Sequence, residues 1–565
     1  MLTRVIGVLC VAVGGVLWYV ERPSTALTLP VPSGTTSLVR GAIHVHTARS
    51  DGSGDPASIA AAAARAGLAF VILTDHGDAT RRPDAPRYLA GVLCIDAVEI
   101  STTQGHVLAL GLPQAPYPLG GEARDVVEDI TRLGGFTVAA HPDSSKADLQ
   151  WSDRTVPIDG LEWLNADSEW RNESGRSLVR ALMMYPVYRA AALTTLLDRP
   201  ASTLQRWDTL TLERRVVAIA ASDAHARVGL RNIGEPYTSN SLHLPSYEDT
   251  FRMFSNVLPS VVFSGDATRD EAMVLAAIRL GRIYSVVDGL AAPAALSFTA
   301  TSGATTVSFG DALPIGGPVT LRISTQGPDN AVITLRKDGV VLDTRSGRSI
   351  ERIVDGAAAV YRVEVSLPDA PGVPPVPWIV SNPIYVGRAE PTTVSPTPVR
   401  RRPFAVSVQY RDGPVSGWTV EHSAASLGVL EEVASIPGRQ LSLRYALGGT
   451  AAVGAFTAFV MPAATNLPNY DRLIFTGRSN QPMRVSVQVR GRDGSAGQRW
   501  HRSVYLEQTA REVSVAFNDM LPLGVTSNPR PRPADIESVL FVLDTVNTAL
   551  GGNGTLWLDN VRYEQ

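Results

Sequence analysis

Apolar and polar positions alternate in blocks along the first half of the chain. From Gly41 the pattern runs GAIHVH, a polar turn TARSDGSG, an Ala-rich block from Asp55 to Gly67, then LAFVILTDH. Short apolar runs bounded by Gly and Asp predict buried strands. Asp55 as N-cap, Pro56 at the first helical position and Gly67 just past the end predict a helix between them. In a strand, residues two apart share a face, so His44 and His46 are expected to turn their imidazoles to one side. Asp51 follows in the turn, and the second run ends on Asp75 and His76. A strand-helix-strand unit with polar residues at the carboxyl ends of its strands is how an α/β barrel builds a site.

The alternation continues to about residue 290. GVLCIDAVEIST reads as one apolar run carrying Glu99, GHVLALGL carries His106, and Glu122 to Leu133 predicts an amphipathic helix closed by Gly134 and Gly135. GFTVAAHP delivers His141, GLEWLN spans 160 to 165, and a mostly helical stretch runs from 168 to 213. VVAIAASDAH then delivers Asp223 and His225, a helix covers 270 to 280, and RIYSVV at 282 to 287 is the last strand. Roughly seven β/α alternations in about 250 residues suit a small, irregular barrel.

From 292 the period changes to two, in VTLRIST, AVITLRKDG and YRVEVSL, with Gly, Pro, Asp and Asn at the turns, closing on PWIVSNPIYV. This predicts a β-sandwich over 292–388. Residues 389–403 form a Pro/Thr linker ending in Arg400 to Arg402, and 404–565 is β-rich again. The division expected is therefore 1–26 export segment, 27–38 spacer, 39–291 α/β domain, 292–388 sandwich, 389–403 linker and 404–565 β domain. No period of 20 to 50 residues recurs, which excludes a solenoid or propeller.

Charge and cysteine content narrow the class. Among 565 residues, 51 Lys and Arg against 54 Asp and Glu give a net charge of −3, so no global field draws the chain to a polyanion. Any such substrate must be recognised locally. The two cysteines, Cys10 and Cys94, build no disulfide framework. Residues 5 to 20, VIGVLCVAVGGVLWYV, are uncharged and apolar behind Arg4, as in an export signal or a membrane anchor. Ser24-Thr25-Ala26 offers a small-x-small cleavage site. The expected location is extracytoplasmic, secreted or anchored through residues 5–20.

Six of the nine histidines, His44, His46, His76, His106, His141 and His225, lie within the first 225 residues at or near the ends of apolar runs. Together with Asp51, Glu99 and Asp223 they make a donor set suited to Zn, Mn or Fe. No Gly-x-Ser-x-Gly, phosphate-cradling loop or dinucleotide fingerprint competes with this. Arg49, Lys146 and Arg227 follow or lie within the same motifs and are candidates for contacting a phosphate.

HxH at 44–46 with SDG at 50–52, TDH at 74–76, a glutamate then GH at 105–106, AHP at 140–142 and SDAH at 222–225 resemble, in order, the motifs of the polymerase and histidinol phosphatase (PHP) superfamily. RLGRIYSVVDG resembles the end of that domain, and with the WIVSNPIYV sandwich the arrangement looks closest to exported PHP proteins of the carbaryl-hydrolase type. The resemblance implies a distorted seven-stranded (β/α) barrel with two or three divalent metals. Carried over motif by motif, His44, His46, Glu99 and Asp223 would hold the first, Glu99, His106 and His141 the second, and Asp51, His76 and His225 the third. Glu99 would bridge, Asp75 would orient a ligand, and a metal-bridging hydroxide would be the nucleophile. Glu99, Asp223 and His225 are thus the expected catalytic residues.

The activity implied is phosphoester hydrolysis, of the nucleotide phosphatase or 5′-3′ exonuclease type, on a phosphorylated small molecule, nucleotide or oligonucleotide. Carbamate or carboxylic ester hydrolysis on the same site is the alternative. The last domain resembles galactose-binding-like jelly-rolls through YDRLIFTGRS and GTLWLDNVRYE. Trp418, Trp500 and Trp557 are candidates for stacking on carbohydrate, and Asp559 for a structural Ca²⁺. A cell-surface polysaccharide-binding protein with structural metals is the third reading.

Overall fold

The computed structural model describes residues 22–30, 38–229, 241–314, 316–388, 405–412, 415–435, 438–449, 454–492 and 497–565. The apolar run 5–20, Cys10 and the 389–403 linker with its arginines lie outside the described residues. The chain forms two compact units, the second built from residues 394–565 with 79–81 and 114–121. Strand predominates throughout, and the seven α-helices among the described residues all fall between Pro56 and Arg279.

In the first unit the site-bearing strands are β1 (Val39–Val45), β2 (Phe70–Leu73), β3 (Val92–Asp96), β4 (Val98–Thr102), β5 (Gly105–Leu110), β6 (Phe136–Ala139), β7 (Gly160–Asn165), β8 (Val217–Ala221), β9 (Ser255–Leu258) and β10 (Tyr284–Val286). The helices are α1 (Pro56–Arg65), α2 (Ala123–Arg132), α3 (Ala166–Asn172), α4 (Gly175–Thr194), α5 (Ala201–Glu213), α6 (Tyr247–Phe251) and α7 (Ala267–Arg279). One sheet contains the path β10-β9-β1-β2-β3 and another is β8-β7-β6-β5-β4. The sheets join at both edges. Val45 bridges Ala224, Ser222 donates its N–H to Ile43, and β3 runs into β4 through Ala97. The run read as one strand, GVLCIDAVEIST, is thus two, with Ala97 as the corner between sheets.

Alternation sorts the side chains of this ring. Ile43, Ile72, Ile95, Leu108, Val138 and Ile219 fill the interior core. Ala42, Val45, Val71 and Leu73 face the other way, onto Ile59, Ala60 and Ala63 of α1. The helix starts where its signals place it, with Asp55 accepting from the Ser58 N–H at 2.7 Å. Its alanines let it lie close on the sheet, and Ile59 supplies the bulk. α6 goes unpredicted, and β9 does so because Ser255 and Asn256 break the apolar run. The fold uses that polarity: Asn256 accepts from the Ala220 N–H at 3.0 Å and donates to the Ala220 carbonyl at 2.6 Å. A side chain thereby replaces a missing strand neighbour.

The residues read as a sandwich, 292–388, share a sheet with this ring. Ile379–Ser381 pairs antiparallel with β10, Tyr284 opposite Ser381 and Val286 opposite Ile379. Asn382 accepts from the Ala218 N–H at 2.8 Å and donates to the Ala218 and Ile283 carbonyls at 2.9 Å. Leu296–Ser302, Thr305–Ser308, Val319–Thr325 and Ser349–Val354 form the facing sheet, over a core that includes Val257, Tyr284 and Val286 of the ring. Charge crosses as well. Arg362 bonds Asp208 of α5 at 2.5 and 2.8 Å and Glu364 at 2.6 Å, while Arg199 and Arg336 also contact Glu364. Burial opposes the charge on Glu364, yet these guanidinium groups hold its carboxyl down to about 2.

The second unit is two six-stranded antiparallel sheets enclosing one apolar core that includes Phe459, Phe475, Phe541 and Tyr563.

Removing Arg362 takes from Asp208 its bidentate partner and from Glu364 one of three guanidinium groups, in a largely dry interior. Arg362→Met is expected to destabilise the protein by about 3–5 kcal/mol, measured by urea denaturation. Loss should appear in one transition for the first unit, because sheet and core run through it unbroken.

Candidate metal centre

One extra residue aims the histidine pair. Ile43 pairs with Ile72 and Val45 with Leu73, so His44 is left over in β1, at φ 68°. Plain alternation from Ala42, which faces α1, would send His44 and His46 to the outer face too. The bulge shifts the phase, so that Val45 packs outward and both imidazoles turn inward. The two-apart spacing therefore works only with the bulge. The Ser222 hydroxyl lies 3.1 and 2.9 Å from the Ile43 and His44 carbonyls, the Ala224 N–H donates to His44, and the His46 N–H donates to Ala224. Gly52 packs against the His46 carbonyl, where a Cβ would collide, and the Tyr247 hydroxyl donates to that carbonyl at 2.8 Å.

All nine expected ligands meet at this end of the ring. His44 Nε2 lies 3.1 Å from His46 Nε2, and each lies 3.2 Å from Glu99 Oε2 and 3.3 Å from Asp223 Oδ1. The other Glu99 oxygen, Oε1, faces His106 Nδ1 at 2.9 Å and His141 Nε2 at 3.1 Å. Asp51 Oδ2 faces His225 Nε2 at 3.1 Å and His76 Nε2 at 3.4 Å. The groups overlap more than the motif-by-motif division implies. His46 joins the Asp51 group, and His76 also reaches Glu99 with His106.

These spacings fit a cation. Donors held tetrahedrally about 2.0–2.1 Å from one ion stand roughly 3.3–3.4 Å apart. Two buried atoms aimed at the centre, Asp223 Oδ1 and His76 Nδ1, make no hydrogen bond. Three imidazoles are presented by their far nitrogen. His44 Nδ1 meets Glu162 at 2.6 Å, His141 Nδ1 the Leu149 carbonyl at 3.3 Å, and His225 Nδ1 the Asp223 carbonyl at 2.9 Å. With Nδ1–H donating outward, each Nε2 lone pair faces in.

Glu162 and Asn165 complete the centre, and sequence reasoning passed them over. Glu162 also accepts from the His141 N–H at 2.8 Å and from Asn165 Nδ2 at 2.7 Å, and Asn165 reaches Asp223 at 3.3 Å. Ile219 pairs with Glu162 and Ala220 with Leu164, so Trp163 is a second extra residue and lets positions three apart share the inner face. The available signal was a Glu inside a strand that is otherwise apolar. Asp75 acts at a remove, accepting from the Thr47 N–H and hydroxyl at 2.8 and 2.7 Å and from the Ser50 hydroxyl at 2.7 Å. It fixes the loop that carries Asp51 rather than a histidine ring.

Burial penalises every charge here, but the groups answer one another. Asp223, Glu162 and Glu99 raise His44 well above its ordinary value despite burial, and Glu99 and Asp223 raise His141 to about 9. Reciprocally, the histidines hold Glu99, Asp223 and Asp51 well below the carboxylate range against their burial.

The candidate phosphate contacts fare differently. Arg49 is engaged by Asp84 at 2.7 Å and Asp96 at 3.3 Å, with Asp75 at 3.8 Å. Lys146 and Arg227 are half-buried in the loops after His141 and His225. In the second unit Trp500 is buried, so it offers no face to a sugar, and Trp418 stacks on Phe541. The Arg478 guanidinium lies 3.8 Å over the Trp557 ring. Asp559 accepts from the Asn560 N–H, and no donor group among the described residues includes it.

No family model matches the chain, and no curated protein matches it. Solved structures similar to part of it include the family 11 carbohydrate-binding module of a Clostridium thermocellum cellulosomal cellulase, at 14% identity and a TM-score of 0.23, over 28% of this chain and 94% of that one. A family 30 carbohydrate-binding module is similar at 10% identity and a TM-score of 0.22, over 28% and 88%. An exo-β-agarase is similar at 13% identity and a TM-score of 0.21, over 28% and 25%.

Two outcomes follow for this region. Glu162→Gln keeps the shape but weakens the hold on His44, and is expected to lower Mn²⁺ or Zn²⁺ affinity about 10–100-fold by calorimetric titration, with unchanged circular dichroism. Glu169 of α3 is buried beside Asp198, Asp143 and Glu173, which raises its carboxyl well above the ordinary range. The folded state binds that proton more tightly than the unfolded chain. Its stabilisation is therefore full below the ordinary value of about 4.3 and is lost as pH rises through the folded value. Glu169→Gln should unfold at higher urea than the parent at about pH 8, with the difference closing at about pH 4.

Proposed function

We propose that the chain is an exported, metal-dependent hydrolase of the PHP type, with a ring of strands as its barrel and phosphoesters as its substrates. The observation that carries this is the set of three imidazoles whose Nδ1 atoms are tied outward while their Nε2 atoms converge on Glu99, Asp223 and Asp51. His44, His46, Glu99 and Asp223 would hold one divalent ion, Glu99, His106 and His141 a second, and Asp51, His76 and His225 a third, drawn from Zn, Mn or Fe. Bound there, such ions supply a nucleophile at neutral pH and offset charge on a phosphoryl group.

The chain's own residues would do the rest. Glu99 sends its two oxygens to different donor groups and so spaces them. The His44, His46 and Glu99 side chains are shut from water, whereas His76, His106 and His225 are 22, 12 and 16% exposed, which gives the substrate its direction of approach. His225 stands on that open side, its ring oriented by the Asp223 carbonyl so that Nε2 faces Asp51, where with His76 it would hold the third ion beside a phosphoryl oxygen. Arg227 and Lys146, in loops leaving the same strand ends, are the candidates for contacting a phosphorylated small molecule, nucleotide or oligonucleotide.

Full-length protein supplied with Mn²⁺ or Zn²⁺ should hydrolyse an aryl phosphate, lose activity to a chelator, and lose about 10²-fold or more on Glu99→Gln. Activity surviving that substitution unchanged would remove Glu99 from the bridging role. Phosphomonoester, phosphodiester, carboxylic ester and carbamate substrates assayed together test the ester and carbamate alternative. Turnover of the last two alone would move the assignment to them. Polysaccharide binding by the second unit, with Trp557 as the half-buried aromatic left to it, is tested with the full chain on a glycan array.

A further inference from the structure

Helix α4 carries an apolar face outward. Val179, Leu182, Met183 and Val187 are 57, 66, 59 and 63% exposed, and Pro186 is exposed among them. Spacings of three, four, seven and eight set these side chains in one stripe. The opposite face is satisfied: Ala181 and Met184 are buried, and the Tyr185 hydroxyl donates to Asp249 at 2.5 Å; past a kink at Arg189, Ala192 and Thr194 are buried as well. A stripe of this length open to water marks an interaction site rather than a scattered surface residue.

Charge and chain path indicate what covers it. From Gly175 to Leu197 there is no acidic residue, while Arg176 and Arg180 lie on the helix and Arg189, at a kink, pairs with Asp249 at 3.4 Å. Arg22 lines the same cavity, of about 490 Å³, as Arg180, Ala191 and Thr194 of α4. The chain is fastened there, with Pro23 buried and Leu27–Thr28 paired in parallel with Ala291–Ala292. The uncharged apolar run of residues 5–20 ends two positions before Arg22. A membrane segment in that run would leave the bilayer close to Arg180 of α4.

We propose that α4 lies on an anionic phospholipid bilayer, with Val179, Leu182, Met183 and Val187 at the boundary of headgroups and acyl chains and Arg176 and Arg180 on lipid phosphates. The assignment is independent of what the metal centre does. It makes the helix a second contact beside an N-terminal anchor, and two weak attachments together hold a protein that one would release.

The test uses the full chain with Cys10→Ser, reconstituted into vesicles of phosphatidylcholine and phosphatidylglycerol, with an environment-sensitive fluorophore on Leu182→Cys or, as control, on Val340→Cys, itself 70% exposed. The expected result is a blue shift and several-fold stronger quenching by doxyl-labelled lipid at 182 than at 340. The difference should shrink in pure phosphatidylcholine and with Arg176→Glu. Equal quenching at both positions, or free access of aqueous iodide to 182, overturns the proposal. So does shielding of 182 without vesicles: if it grows with protein concentration the cover is a second copy, and if it does not the cover is the chain's own apolar segment.

Discussion

The inserted residue in β1 is the constraint on which the candidate centre depends. It moves two imidazoles from the face that meets α1 to the face that meets Glu99, at the carboxyl end of a buried strand. His44, His141 and Asp223 all hold positive φ, at 68°, 41° and 41°. Each such backbone costs on the order of 1–3 kcal/mol and persists only where its surroundings determine it. Those surroundings are identifiable here. Ser222, Ala224 and His46 hold the chain around His44, and Glu162 takes the N–H of His141 together with the ring of His44. The strained residues are the same ones that supply donors, because strand geometry alone would point them elsewhere.

Mutual support of the same kind lets so many ionisable groups share a dry site. An isolated buried carboxylate would protonate. Glu99 instead stays ionised because five imidazoles surround it, and three of them, His44, His46 and His141, are drawn toward protonation by the carboxylates. The interior beneath is plain packing of Ile43, Ile72, Ile95 and Ile219, which offers no competing polar partner. The centre is therefore high in field and low in alternatives, the condition under which a divalent cation is the simplest remaining neutraliser.

Much of this was legible from residue order. Ligand-type residues sit at the ends of apolar runs, and strand ends are where a ring of strands brings distant positions together, so the grouping of His44 through His225 is legible in the chain itself. The start of α1 was legible too, since Asp55, Pro56 and Gly67 act locally. What escaped depends on register. Glu162 and Asn165 look out of phase until Trp163 is counted as extra, and Ala97 looks like mid-strand until the two sheets are seen to part there. β9 escaped because Asn256 performs with its side chain what a strand does with its backbone. Asn382 and Ile379–Ser381 escaped for a third reason: a period of two marks a strand but not its neighbour, and here that neighbour belongs to the ring.

That last pairing bears on how the centre keeps its shape. β10 and β9 continue the sheet on β1 at Val39 to Gly41, the far side of β10 is occupied by Ile379–Ser381, and Ser222 and Ala224 cover the same edge beside the bulge, so β1 has no free sheet edge there. Asn382 secures β8 at Ala218, three residues before Ala221 and therefore just upstream of Ser222 and Asp223. The 292–388 segment thus acts on two of the three strands that lead into the strained ligands, from the side away from their polar ends. The Arg362 network adds α5, which leads directly into β8. Residues with no chemistry of their own hold the phase of β1 and β8, and that phase decides whether the imidazoles and carboxylates face one another or face α1.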